Sequence, residues 1–141
     1  MAKPLPHPTP TEKPFFDACK QGRLILQRCD RCNHFIFYPR VHCNVCHTTE
    51  LTWCPATGKG TIASYTVVHR SVSSDFKAPY VVALIDLHEG PRMMSQIVGA
   101  DLDSLEIGMA VTVDFESWSE AITMPIFLVT PGLDKTAEEL L

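Results

Sequence analysis

"CDRCNHFIFYPRVHCNVCH", residues 29–47, places four cysteines in two identical pairs on either side of an aromatic stretch. The spacing is Cys29-x2-Cys32, ten residues, then Cys43-x2-Cys46. Thiolates at this spacing let one tight turn aim both sulfurs at a single ion, and two such turns complete a tetrahedral four-sulfur set. Four cysteines close the coordination shell, whereas a catalytic zinc keeps a position for water, so Cys29, Cys32, Cys43 and Cys46 are expected to stabilise the fold. Zinc is the expected ion, and iron is also compatible with four thiolates. The residue after each pair often turns left-handed; Asn33 tolerates this, while His47 is a departure from the usual glycine. His42 and His47 flank the second pair and are read as surface residues, with replacement of a cysteine ligand as the other reading. Arg28, Arg31 and Arg40 either offset the negative charge of a thiolate cage or are ordinary solvated cations.

Working outward, "RLILQRC" supplies a strand into the first pair, "FIFYP" a second strand ended by Pro39, and "ELTWC" a third leaving the second pair. This is the layout of a zinc ribbon. Upstream, Pro14 suits a first helical turn, Phe15, Phe16 and Cys19 give an apolar side, and Gly22 ends a helix over about residues 14–21. Residues 1–13, dense in proline, read as an extended, flexible arm. Downstream, "TGKG" at 57–60 punctuates the chain, and five β-rich runs follow: 61–70, 80–87, 92–99, 110–116 and 126–130. In the fourth, Val111, Val113 and Phe115 alternate with Thr112, Asp114 and Glu116 as a half-buried strand should. Five strands without an intervening strong helix suggest a small Greek-key barrel of the OB type. The expected protein is thus mainly β, with a helix and ribbon over 14–56, a barrel over 57–130, and a tail over 131–141 that forms a short helix or frays.

The chain has 141 residues, room for one ordinary domain or a metal-stiffened module plus one compact core. A hydrophobic fraction of 45% with 20% charged residues is that of a folded soluble protein. No run approaches the roughly 18 apolar residues of a membrane span. "MAKPLPHPTPTEKP" lacks the apolar core of a secretory signal, so a cytoplasmic location is expected. In a reducing compartment six cysteines favour metal binding or catalysis over disulfides. The net charge of −4 becomes more negative once four thiolates hold one divalent ion, which argues against a polyanion as main partner.

Several features stand in a fixed order: the proline-bearing helix, the four-cysteine ribbon, a tryptophan with "TGKG", "PYVVALIDLHEGPRMMSQIVG", and "IG" before a valine-rich strand. Over about residues 11–130 the chain resembles the acyl-CoA-associated proteins that join a rubredoxin-like zinc ribbon to an OB-fold. The resemblance implies a non-catalytic accessory subunit that binds a thiolase-superfamily enzyme, or sometimes a hydratase, and supports its action on acyl-CoA thioesters. Partners known in that family include thiolases, steroid side-chain aldolases and acyltransferases that make phloroglucinol-type products. A hetero-oligomer is therefore expected, with acyl-CoA as a possible ligand. Cys29, Cys32, Cys43 and Cys46 match the metal set. Gly58, Gly60, Pro79, Tyr80, Glu89, Gly90 and Gly108 match the backbone pattern, with no chemical role attached.

Lys59, Arg70, Lys77 and Arg92 are candidates to meet coenzyme A phosphates or are plain surface charges. Cys19 and Cys54 read as small buried packing residues, and only the fold can show whether His69, Asp75 or Asp86 joins either of them. The rival reading is single-stranded nucleic-acid binding, with Phe35, Phe37, Tyr38 and Tyr65 as stacking residues; the acidity and the absence of a basic run count against it. "FIFYP" is either a partner-contact patch or packing against Phe15 and Phe16.

Overall fold

The computed structural model describes residues 5–71, 74 and 77–130. The expected tail helix (131–141), the first four residues of the arm and Asp75 lie outside them. The remainder is mainly β, with one short helix, a ribbon and a closed five-stranded barrel.

Within the segment expected as an extended arm, Thr9 and Glu12 close a turn reciprocally. The Thr9 amide donates to Glu12 Oε1 at 3.0 Å and the Glu12 amide to Thr9 Oγ1 at 3.3 Å. This T-x-x-E pairing satisfies amides that a helix start leaves unpaired. Helix α1 (Lys13–Lys20) follows, burying Phe15, Ala18 and Cys19. It stops where Gly22 turns left-handed (φ 73°), with Gly22 N–H donating to Cys19 O and Arg23 N–H to Ala18 O, both at 2.9 Å. Such a pair of bonds takes up the carbonyls that a helix end leaves free.

The ribbon is a three-stranded antiparallel sheet in which β1 (Ile25–Cys29) lies between β2 (Phe35–Ile36) and β3 (Leu51–Pro55). Strand β2 is two residues long, shorter than "FIFYP" suggested. The chain leaves the ladder at Phe37, and a side chain takes over its hydrogen bonding: buried Gln27 donates Nε2–H to Arg40 O and accepts Arg40 N–H at Oε1, both at 2.7 Å.

Five strands close the barrel in the order β4 (Lys59–Val68), β5 (Tyr80–Leu87), β6 (Arg92–Ile97), β8 (Thr123–Val129), β7 (Ala110–Ser117), with β4 returning to pair with β7. A register shift between Ile62 and Ser64 bends β4 so that it can pair with both β5 and β7. Alternation decides the inner face: Val81, Ala83, Ile85 and Leu87 of β5 are buried, and Val111 of β7 belongs to the same buried cluster. Strand β8 starts earlier than expected and contains Pro125. Proline is tolerated there because β8 meets β6 in only one parallel register pair, Ile97 with Phe127.

The ribbon and barrel share a core. Phe15, Cys19, Leu24 and Leu26 belong to the same buried cluster as Ile62, Ile85, Val111 and Phe127. Polar ties add direction: Glu89 Oε2 accepts the Thr57 amide at 2.8 Å, and the Tyr38 hydroxyl accepts the Met94 amide at 3.3 Å. Gly60 is required by a close approach, since a Cβ there would stand 2.7 Å from Asp86 O.

Candidate metal centre

Two short turns, one after β1 and one before β3, carry the four cysteines. In the first, Asn33 N–H donates to Cys29 O and Cys29 N–H to His34 O, both at 2.9 Å. The second repeats the pattern with His47 N–H to Cys43 O at 3.0 Å and Cys43 N–H to Thr48 O at 2.9 Å. Asn33 (φ 63°) and His47 (φ 65°) both take the left-handed conformation, so histidine fills the usual glycine position without altering the turn.

One sulfur from each of Cys29, Cys32, Cys43 and Cys46 lies within 4.8 Å of all the others. The shortest separations are 3.4 Å for Cys29 to Cys46 and 3.6 Å for Cys32 to Cys43. These are far longer than a disulfide, at about 2.05 Å. They approach the sulfur spacing of a tetrahedral zinc thiolate, about 3.8 Å for bonds of about 2.3 Å. Amides of Cys32 and Val45 point at the Cys29 and Cys43 sulfurs, both at 3.4 Å. The proton affinities divide accordingly. Cys43 is held down at about 6, chiefly by the backbone N–H of Cys46 and then of Val45, against the cost of burial. The His34 amide lowers Cys32, but burial and the neighbouring thiols outweigh it and push Cys32 up to about 12. Four sulfurs this close cannot all ionise unaided; a divalent cation supplies the missing charge, so the donor set fits a closed structural metal site.

The other sequence candidates are not brought together. Cys19 is wholly buried, with its thiol raised to about 12 by burial, and Cys54 Sγ contacts Thr52 O at 3.8 Å. Among the described residues, no base lies within hydrogen-bond distance of either thiol. Arg92 pairs with Asp86, Lys77 lines a cavity at the far end of β6, and Lys59 is exposed at the start of β4. Of the aromatics, Phe35, Phe37 and Tyr65 pack against the core, and Phe37 meets Phe15 at a ring separation of 5.4 Å. Tyr38 is 55% exposed. The backbone-pattern glutamate acquires a role, because Glu89 anchors the link between ribbon and barrel. Sequence reading missed Gln27 and the Thr9–Glu12 pair; the T-x-x-E spacing before an apolar run was the available signal for the latter.

A four-sulfur ribbon continued into a five-stranded OB barrel defines a class of two-part scaffold. Residues 16–52 match the family described as "ChsH2, rubredoxin-like zinc ribbon domain" and residues 53–116 that described as "ChsH2, C-terminal OB-fold domain". A "DUF35 domain-containing scaffold protein" of Methanothermobacter thermautotrophicus is 41% identical over 100 residues, 69% of this chain and 74% of that one. The chain belongs to this ChsH2/DUF35 family. A solved structure titled "Ltp2-ChsH2(DUF35) aldolase" superposes with a TM-score of 0.82 at 35% identity, covering 89% of this chain and 98% of the other. A "Probable enoyl-CoA hydratase alpha subunit" of Thermomonospora curvata is 38% identical over 113 residues, 80% of this chain. The chain spans 35% of that relative's length. Among the described residues, no helix is long and apolar enough to cross a membrane.

Proposed function

We propose that the chain is a non-catalytic accessory subunit that binds a thiolase-superfamily enzyme and supports its action on acyl-CoA thioesters. The observation that carries this reading is the near-complete match, 98% of the other chain, to a structure whose title pairs a DUF35 chain with an aldolase. In this reading Cys29, Cys32, Cys43 and Cys46 hold one structural zinc ion. The ion stiffens the ribbon (residues 14–56) against the barrel (57–130), and the pair forms a rigid platform. A platform of this kind orders a partner's loops and excludes water at its site, while the partner supplies the nucleophile. Phe35, Phe37 and Tyr65 are half-buried against the core, which counts against a nucleic-acid stacking surface built on them.

A second reading, partnership with an acyl-CoA hydratase, is favoured by the hydratase alpha subunits among the relatives. The deciding experiment is affinity capture from the native host, followed by assay of the captured enzyme with and without this chain. Capture of a thiolase-like protein whose activity or stability falls when the chain is removed supports the first reading. A partner left unchanged on both counts defeats it. Elemental analysis is expected to find one zinc per chain, and Cys43→Ser is expected to lose it together with several kcal/mol of stability. A Cys43→Ser chain that keeps its ion would show the ligand set to be wrong.

A further inference from the structure

A cleft of about 300 Å³ lies where the ribbon meets the β5–β6 turn. Phe35, Ile36, Phe37 and Pro91 form its apolar wall, and two arginines line it from different parts of the fold, Arg40 from the ribbon and Arg92 from the barrel. Neither is casually placed. The backbone of Arg40 is held on both its N–H and its C=O by buried Gln27, which fixes the base from which the side chain extends. Its guanidinium has no carboxylate partner among the described residues. Arg92 is oriented by Asp86, with Nε to Oδ1 at 2.7 Å and Nη2 to Oδ2 at 3.2 Å. That pairing uses two of its five N–H donors and leaves the others open. Two guanidinium groups and a single carboxylate leave one positive charge uncompensated, and His34 and Asn44 line the same cleft.

We propose that this cleft is a binding site for a phosphomonoester dianion, gripped between Arg40 and Arg92. A planar guanidinium fork bonds a pair of phosphate oxygens bidentately, which an ammonium group cannot do, and two such forks favour a compact, doubly charged oxyanion over chloride. The phosphate can be free or can terminate a nucleotide such as coenzyme A. Only that second source leans on the proposed function; the site itself does not.

The test uses the full, zinc-loaded chain, because the thiolate cage places negative charge beside Asn44 and the working protein must bind against it. Inorganic phosphate is titrated at low ionic strength, followed by calorimetry and by the NMR signals of the arginine Nε–H groups, with chloride as control. Saturable one-site binding is expected, with Kd of about 1 mM or tighter. Arg40→Gln is expected to weaken it at least about tenfold. Asp86→Asn, which removes the competing carboxylate, is expected to tighten it several-fold and keeps the test decisive if the first variant fails to fold. Tighter binding of coenzyme A than of dephospho-coenzyme A supports the site with a nucleotide 3′-phosphate as its source. Equal affinity for the two, with inorganic phosphate still bound, supports the site with free phosphate as its source. Absence of saturable phosphate binding, or affinity unchanged in both variants, overturns the proposal. None of these results depends on whether a partner enzyme is captured.

Discussion

Gln27 shows how much one buried amide can decide. It is the single buried polar residue among those described, and its two hydrogen bonds at 2.7 Å continue the ribbon ladder where β2 has ended. Gln27→Leu is expected to cost about 1–3 kcal/mol in urea denaturation, because the Arg40 backbone groups lose partners in a half-buried place. Gln27→Glu keeps the acceptor but sets a buried carboxylate oxygen against the Arg40 carbonyl, so a loss at least as large is expected at neutral pH. At the surface, the Asp86 carboxyl is held below its ordinary 3.8 by the hydrogen bond from Arg92. A depressed carboxyl contributes stability that is present above the unfolded value and lost as pH falls through the lower folded one. Asp86→Asn is therefore expected to lower stability slightly at neutral pH, with the difference from the parent chain vanishing as pH falls below about 4.

Among the elements, β4 carries the largest geometric demand. It pairs with β5 along its length and with β7 over Lys59–Thr61, and Gly60 sits where both neighbours close in. A Cβ at this position would meet Asp86 O at 2.7 Å and Ile85 Cγ2 at 2.8 Å, both rigidly held in β5. Gly60→Ala is expected to destabilise the barrel by about 1–3 kcal/mol, measurable as a lowered thermal midpoint. Strand β8 is constrained differently: Pro125 has no N–H to donate, and its carbonyl accepts the Ser95 hydroxyl at 2.9 Å in place of a ladder bond to β6.

The molecule as a whole is stabilised unevenly. The main cluster runs from α1 and β1 through the barrel, whereas the metal end of the ribbon has a separate small cluster of Cys29, Ile36 and Cys43. So little apolar surface cannot offset the ordering of two turns, and the ion must supply the difference. Chelation at neutral pH is expected to abolish amide protection across residues 29–50, measured by hydrogen exchange, while β5 and β7 stay protected. Loss of protection in β5 at the same chelator concentration would show that ribbon and barrel unfold as one unit.

Much of this was open to reading in one dimension. Repeated x2 cysteine spacing, alternation in β5 and β7, and the turn residues at 57–60 and 88–91 are local patterns, and local patterns specify the ribbon turns and the inward face of each strand. The chain itself thus determined the metal ligands proposed here, the element order and the barrel class. What only tertiary structure decided were contacts between distant residues: Gln27 with Arg40, Tyr38 with Met94, Thr57 with Glu89, and the meeting of Arg40 and Arg92 at one cleft. Periodicity says which way a side chain points along its own strand. It carries no information about which remote group stands opposite, since that depends on how the ribbon and barrel pack against each other through α1 and β1.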